Sequence, residues 1–177
     1  ASRREAEAVL ARLDGNSQLH LLLAAVYRQE GVPGPALREY RRAVDVVGPL
    51  RLVKDQAEID ALAAAGSAVD RIAAELHAGN IALVGRTEAE VSAELSARIL
   101  AEGHQKVNFA IVAAGENAAS PHHHAGSRVI RENEIVLCDF GGTMNGYCSD
   151  ITRCVFTGDA DSAAPDIADA YQVLLAA

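Results

Sequence analysis

The sequence has few aromatic residues and no excess of positive charge. Only 4% of its 177 residues are aromatic, and none is tryptophan. Its 16 lysines and arginines are outnumbered by 24 aspartates and glutamates, which leaves a formal net charge of −8. An acidic chain without a basic block is a poor partner for nucleic acid or an anionic membrane surface. No apolar run is long enough to cross a bilayer. We therefore expect neither a nucleic-acid partner nor a membrane partner.

Cysteine is also scarce, and its placement excludes a disulfide framework. The three cysteines, Cys138, Cys148 and Cys154, are odd in number and lie in one short stretch. Small secreted domains instead carry an even set of cysteines spread along the chain, and the first residues show no secretory pattern. We expect reduced thiols and a cytoplasmic location, and we assign the three cysteines no role in a site.

Hydrophobic residues, by contrast, are abundant and make up half of the sequence. Many of them are alanine and leucine, and much of the chain is predicted to be helical. In residues 1–48 apolar residues recur at helical spacing, residues 31–35 interrupt them, and a second helix is predicted over about residues 36–47. Several residues lie near the spacings of one tetratricopeptide repeat, namely Leu23, Ala24, Tyr27, Gly31, Ala36, Tyr40 and Ala43. A single repeat cannot bury its own face, so an ordinary helical hairpin is at least as good an interpretation.

From Pro49 the pattern changes, and residues 49–177 form a second predicted region. A long amphipathic helix is predicted over residues 54–77, with Ile59, Leu62, Ala63, Val69 and Ile72 toward the core. Thr87 and Glu90 have the spacing of a capping box, which predicts a helix from there to about residue 101, before Gly103. Strands follow at about residues 107–113, 134–140 and 147–157, and a last helix at 166–175. Helices followed by an antiparallel sheet predict an α+β fold.

A hairpin in the strand region brings two carboxylates together. Asn145-Gly146 between two β-prone runs is a strong signal for a type I′ turn. With these two residues as the turn, Thr152 pairs with Asp139. Asp150 then lies on the same face as Asp139, as its diagonal neighbour, about 7–8 Å away along the backbone.

Asp139 follows a run that is apolar on both faces, so it should lie in a covered sheet and needs a positive partner. Arg153 is one candidate, but its parity on a regular strand puts it on the opposite face from Asp150. Metal ions would satisfy both carboxylates at once. From the residues alone, a metal site and a buried Asp–Arg pair are about equally good interpretations.

Several motifs resemble those of one protein family and occur in the same order along the chain. Asp139-Phe140-Gly141-Gly142 and Ser149-Asp150-Ile151-Thr152-Arg153 resemble the metal-binding hairpin of the pita-bread family, which contains prolidases, proline-specific aminopeptidases, creatinases and methionine aminopeptidases. Upstream, Gly115-Glu116-Asn117 and Pro121-His122-His123 are similar to the family's histidine segment. Further back, residues 51–59 and 85–88 resemble the helices that open its catalytic domain. The resemblance covers about residue 49 to the end, as the first half of a pita-bread catalytic domain.

The resemblance implies a site and a reaction. Asp139 and Asp150 would be the first two ligands of two divalent metal ions, with Asp150 bridging them. Manganese or cobalt is expected, with zinc or iron as alternatives. Metal ions in such sites activate water and polarise the scissile carbonyl, here of the bond before proline. His122 would contact the substrate near that bond, His124 is expected to belong to a polar loop, and His123 is left open. The expected partners are a peptide with proline after the scissile bond and, across the uncovered sheet, further copies in a homo-oligomer.

The sequence departs from the family in two respects. One histidine and two glutamates of the family's ligand set lie in a second half, which would follow Ala177, so we expect this segment to be truncated and inactive alone. A helical stretch also stands where proline-specific members have a mixed α/β domain. Two alternatives therefore stay open, a non-catalytic interaction module built on the helical hairpin, and a creatinase-like relative that cleaves no peptide.

Overall fold

A computed structural model describes residues 17–176 of the chain, which divides into two compact units between Glu58 and Ile59. The first unit contains two helices that pack against each other, α1 (Ser17–Gln29) and α2 (Pro33–Leu52). Gly31, with a φ of 72°, makes the turn between them. The buried apolar positions of the pair are small or aliphatic, namely Leu23, Ala24, Ala36 and Ala43. The packing is that of the predicted hairpin, while its identity as a tetratricopeptide repeat stays a prediction.

The second helix is longer than predicted at both ends. It begins at Pro33, because proline lacks an N–H that the first turn would leave unbonded in any case. It also continues through Pro49 to Leu52, although an internal proline removes one helical hydrogen bond. The predicted boundary between residues 48 and 49 therefore falls inside α2, and as the limit of the catalytic region it stays a prediction.

The second unit has helices and an antiparallel sheet, so the predicted α+β fold class is confirmed. Its helices are α3 (Gln56–His77, which begins just before the unit does), α4 (Glu88–Ala101) and α5 (Pro165–Ala176). Its strands are β1 (Lys106–Ala114), β2 (Ile135–Met144), β3 (Tyr147–Cys148) and β4 (Ile151–Phe156). The β2 strand is central, with β1 on one side and β3 followed by β4 on the other.

Local signals explain the ends of α4. Thr87 is its N-cap, and the Thr87 hydroxyl accepts a hydrogen bond from the Glu90 amide while the Glu90 carboxylate accepts one from the Thr87 amide. These two bonds satisfy donors that a helix start leaves without partners. Gly103, with a φ of 104°, follows the last turn. The predicted capping box and the glycine stop are both confirmed.

The core lies on one face of the sheet. Alternate residues of β2, Val136, Cys138 and Phe140 among them, are buried against apolar residues of α3 and α4. The residues between them, including Asp139, face the other way and are only half-buried or occupy glycine positions. We call this other side the open face of the sheet. The prediction that Asp139 lies in a sheet covered on both faces is therefore wrong for the described part of the chain, residues 17–176.

Only the second half of α3 joins this core. Val69 and Ile72 are buried as predicted, whereas Ile59 and Leu62 are exposed and Ala63 is exposed with them. A helix of 22 residues is about 33 Å long, which exceeds the width of a short sheet.

Within residues 17–176, no helix is long and apolar enough to span a membrane.

Candidate metal centre and histidine loop

The hairpin that carries the two aspartates has the predicted turn. Asn145 and Gly146 have φ values of 51° and 85°, which is the left-handed conformation that both central residues of a type I′ turn adopt. Met144 on one side pairs with Tyr147 on the other. The turn therefore sets the register of everything that follows it.

The register holds along the whole strand pair. Thr143 pairs with Cys148 before the gap between β3 and β4, and Asp139 pairs with Thr152 beyond it. Within the gap, the Ser149 amide donates to the Gly142 carbonyl at 2.9 Å, so the strands stay in step. The predicted strand over residues 147–157 is thus two short strands, interrupted at residues 149 and 150, yet its pairing with β2 is as predicted.

This register gives Asp139 and Asp150 neighbouring positions on the open face. Asp150 lies opposite Gly141, two residues along β2 from Asp139, as strand alternation requires for a diagonal pair. Asp139 is half-buried and accepts a hydrogen bond from the Thr152 hydroxyl at 2.9 Å. Asp150 is exposed. The two carboxylates predicted as ligands are brought to one surface by the hairpin.

Gly141 allows the backbone at Asp150 to approach the central strand closely. A Cβ added to Gly141 would collide with the Ser149 carbonyl and would lie 3.1 Å from the Asp150 Cα. Real Cβ atoms are essentially never found this close to backbone atoms, so part of the backbone would have to move. The absence of a side chain at Gly141 is therefore a condition for the observed position of Asp150.

A buried polar chain fixes the residue just before Asp150. Ser149 is 5% exposed, and its hydroxyl lies 2.8 Å from His104 Nε2 while accepting from the Gly142 amide at 3.1 Å. His104 is 4% exposed, and its Nδ1 lies 3.2 Å from the Ile99 carbonyl. Because a carbonyl can only accept, Nδ1 donates to Ile99, and the other ring nitrogen, Nε2, faces the Ser149 hydroxyl. Ser149 is thereby held from both sides.

Replacing Gly141 with alanine should destabilise the fold and displace Asp150. We expect a loss of about 1–3 kcal/mol in the free energy of unfolding, because the new methyl group overpacks against backbone that cannot rotate away. Urea denaturation measures this loss. The control is Gly66→Ala in α3, where an added Cβ has nothing within 4 Å. That change should raise stability by roughly 0.5–1 kcal/mol through helix propensity, and equal effects of the two variants would contradict the close approach.

The alternative partner for Asp139, Arg153, does not pair with it. Arg153 lies opposite Cys138, on the face away from Asp139, and its guanidinium donates to the Thr152 carbonyl at 2.8 Å. No ion pair joins Arg153 to an aspartate within residues 17–176. This outcome agrees with the parity argument and removes the buried Asp–Arg pair as an interpretation of Asp139.

The cysteines are all free, but they differ in environment. Cys138 is buried in the core, and burial raises the pKa of its thiol to about 12. Cys148 and Cys154 are exposed, on the same side of the hairpin as Asp150 by their register. Only Cys138 is therefore a buried thiol.

The predicted substrate-binding residue, His122, lies in a loop between β1 and β2. Its side chain is exposed, and its φ of 56° is the left-handed conformation, which non-glycine residues rarely adopt. Such a backbone persists only where the surroundings impose it, and functional sites are common among these places. His124, assigned to a polar loop, is also exposed. His123, which the sequence left open, points inward instead.

The partner of His123 is Glu88, a buried carboxylate at the start of α4. Glu88 is 0% exposed and lies 2.8 Å from His123 Nε2. It also accepts from the Ala114 amide and the Asn117 side chain, both at 2.9 Å, and from the Gly126 amide at 3.3 Å. Burial alone would raise the pKa of Glu88, but these four hydrogen bonds outweigh it and hold the pKa below its ordinary value.

A second set of contacts ties the start of the same loop to its end. The Arg128 guanidinium donates to both carboxylate oxygens of Glu116 and to both of Glu134, at 2.8–3.2 Å. The hydrogen bonds from Arg128 lower the pKa of Glu116 to about 2 and also lower that of Glu134. We use the name histidine loop for residues 115–134, which these contacts and those of Glu88 tie down.

Sequence patterns did not reveal Glu88, His104 or Ser149. Glu88 occupies the first turn of a helix, where an acidic residue is ordinarily an exposed partner of the helix dipole. His104 follows a helix end and resembles a surface residue there. Glu88 and Ser149 do lie in segments that resemble the family, residues 85–88 and 149–153, but the resemblance assigned neither of them a role.

The described donor set fits part of a two-metal site. Two carboxylates on one surface are suitable oxygen ligands for divalent ions, but no group of three or more His, Cys, Asp or Glu in residues 17–176 could enclose an ion. Asp139 and Asp150 are thus a partial ligand set.

Comparisons with known proteins agree with the fold. The sequence model of metallopeptidase family M24 matches residues 59–177. A probable dipeptidase PepE from Mycobacterium bovis is 46% identical over 133 residues, which are 75% of this chain and 34% of that protein. The chain therefore spans about a third of the length of this curated relative.

Solved structures give the same result. The crystal structure of dipeptidase PepE from Mycobacterium ulcerans is 43% identical with a TM-score of 0.70, and the match covers 87% of this chain and 38% of that one. A recombinant prolidase from Thermococcus sibiricus is 35% identical with a TM-score of 0.66, over 73% of this chain and 35% of that one. Because the family model matches the whole of the second unit, which is more than half of the chain, the chain belongs to metallopeptidase family M24.

Proposed function

We propose that this chain supplies the first half of the catalytic domain of a metal-dependent Xaa-Pro peptidase, either an aminopeptidase or a dipeptidase. The observation that carries the proposal is the hairpin register, which brings Asp139 and Asp150 to neighbouring positions on the open face. Two carboxylates so placed repel each other unless cations lie between them. Relatives named as dipeptidases and prolidases support the reaction class.

In this proposal each residue has a distinct task. Asp139, oriented by the Thr152 hydroxyl, and Asp150, held by the close approach at Gly141, bind two divalent ions, for which we favour manganese or cobalt over zinc or iron. When bound, such ions supply Lewis acidity and lower the pKa of water. His122 donates an imidazole N–H to the substrate carbonyl oxygen as negative charge develops there. The partner is a peptide with proline after the scissile bond.

The open face also bears on assembly. Phe109, Ile111 and Leu137 lie on it beside Asp139 and are only half-buried. An apolar surface of this kind favours association, and we propose that the protein forms a homo-oligomer.

The three free thiols support a reducing compartment, so we propose a cytoplasmic location.

The test compares this chain alone with the assembled protein, by which we mean the chain together with the second catalytic half. That half is supplied by expressing the full gene or by mixing the two halves. We expect no hydrolysis of Xaa-Pro dipeptides by the chain alone, because two carboxylates do not enclose two ions. The assembled protein should hydrolyse them only with added manganese or cobalt.

Dipeptides that lack proline serve as the control for specificity. Equal rates on dipeptides with and without proline would support a peptidase but contradict a preference for proline. An assembled protein that cleaves neither set with any of the four metals would remove the peptidase proposal. It would favour the interaction module or the creatinase-like relative.

A further inference from the structure

All the hydrogen-bond acceptor sites of the Glu88 carboxylate are occupied by donors from one part of the chain. An ionised carboxylate has about four lone-pair sites, and the four donors come from the end of β1 and the first half of the histidine loop. Ala114 and Asn117 donate to Oε1, while His123 and Gly126 donate to Oε2. One side chain therefore ties this segment to α4 at four points.

The second half of the loop is held in a different way. Backbone hydrogen bonds connect it to the start of α4, from the Glu88 amide to the Arg128 carbonyl at 3.0 Å and from Gly85 to Ile130 at 2.9 Å. Thr87 also forms an isolated bridge with Val129. These bonds do not involve the Glu88 carboxylate. Ala114 also pairs with Val136 in the sheet, and the Ala89 amide donates to the Gly126 carbonyl at 3.0 Å. Loss of the carboxylate should therefore release residues 115–125 and leave Ala114 and residues 126–130 attached.

We propose that Glu88 is a positioning residue for His122 and acts through His123. The inference rests on the proposed function in assigning His122 to the substrate. With His123 Nε2 held at 2.8 Å by Glu88, the imidazole of His123 is turned into the protein. His122, adjacent to it in the left-handed conformation, is then directed outward. Glu88 thereby determines how the neighbouring imidazole is presented, although it lies out of reach of solvent.

The variant that tests this inference is Glu88→Gln. Glutamine has nearly the same shape, but it has one acceptor oxygen and an NH2 group that can only donate. It therefore cannot accept from all four donors, and at least two of them lose their partner. A carboxylate of similar chemistry provides the matched control, since Glu39 in the first unit is also buried and lies 2.7 Å from His20 Nδ1. Glu39→Gln should leave the histidine loop unchanged.

The first measurement is hydrogen exchange on the 177-residue chain. In Glu88→Gln we expect the Ala114 amide, the Gly126 amide or both to exchange at least about tenfold faster, because they donate to different carboxylate oxygens and glutamine keeps only one. A tenfold change corresponds to an opening that costs roughly 1.4 kcal/mol less. Amides of the core, such as those of Leu95 and Val136, should keep their protection. Unchanged exchange at Ala114 and Gly126 would overturn the inference. So would faster exchange throughout the unit, because Glu88 would then stabilise the fold in general.

The second measurement is a double-mutant cycle in the assembled protein. Glu88→Gln should lower kcat by about tenfold to a hundredfold, as small misplacements of a catalytic group do, while KM and bound metal stay unchanged. In a His122→Ala background the same substitution should have no further effect, because the group it positions is gone. Independent, multiplying losses would overturn the inference. If no form of the assembled protein cleaves peptide, the proposed function fails, and the exchange result decides whether Glu88 orders the loop.

Discussion

In the assembled protein, Asp150→Ala is expected to abolish hydrolysis of Xaa-Pro dipeptides and to release metal. Asp150 lies opposite Gly141 on the open face, beside Asp139, and we propose that it would hold divalent metal ions there. Without this carboxylate the ions would lose a ligand, and with it the Lewis acidity that they would supply. Activity should fall to the detection limit rather than by a modest factor.

The measurement combines kinetics with metal analysis on the same preparation. The control is Asp70→Ala, which removes an exposed aspartate from α3. It should keep both turnover and metal content. Hydrolysis by Asp150→Ala at the wild-type rate would show that this hairpin is not the metal site, whatever the family resemblance implies.

Local sequence signals predicted the parts of the site that depend on neighbours in the chain. The Asn145-Gly146 turn determines the pairing of every residue in the hairpin, because a strand pair has a single register once its turn is known. The capping box at Thr87 and Glu90 fixed the start of α4 in the same way. Both signals act over fewer than five residues, so one sequence contains all the information they need.

The residues that the sequence did not reveal are those whose role comes from distant contacts. Glu88 is 26 residues from Ala114 and 35 from His123, and His104 is 45 from Ser149. At its own position Glu88 has the ordinary character of a first-turn acid, and its burial follows only when the histidine loop closes over it. Periodicity cannot report such a burial, because it describes one element at a time.

The exposed start of α3 has a related cause. Its apolar residues Ile59 and Leu62 follow the same helical period as Val69 and Ile72, so the pattern predicted one continuous core-facing side. Burial, however, depends on what lies opposite each turn, and the sheet core begins to contact the helix near Val69. A helical period therefore predicts which residues share a face, and the length of the partner decides how much of that face is buried.

His122→Ala should lower kcat by roughly a hundredfold or more while leaving metal content unchanged. His122 is exposed in a loop held from two sides, by Glu88 through His123 and by Arg128. Removing one preorganised donor to a developing oxyanion typically costs this much in turnover. The ligands that we propose in this chain are Asp139 and Asp150 on the hairpin and do not include His122, so bound metal should equal that of the wild type.

His124→Ala is the matched control, since it removes another exposed imidazole two residues further along the same loop. Its kcat should stay within a few-fold of wild type. The comparison also separates His122 from Asp150, because loss of turnover with full metal content indicates a substrate contact, whereas joint loss of both indicates a ligand. If His122→Ala lost metal together with activity, or if His124→Ala lost as much turnover as His122→Ala, the substrate-contacting role would have to be withdrawn from His122. The orientation that Glu88 gives to His123 is what makes the two exposed histidines unequal, since only His122 adjoins the anchored residue in a left-handed conformation.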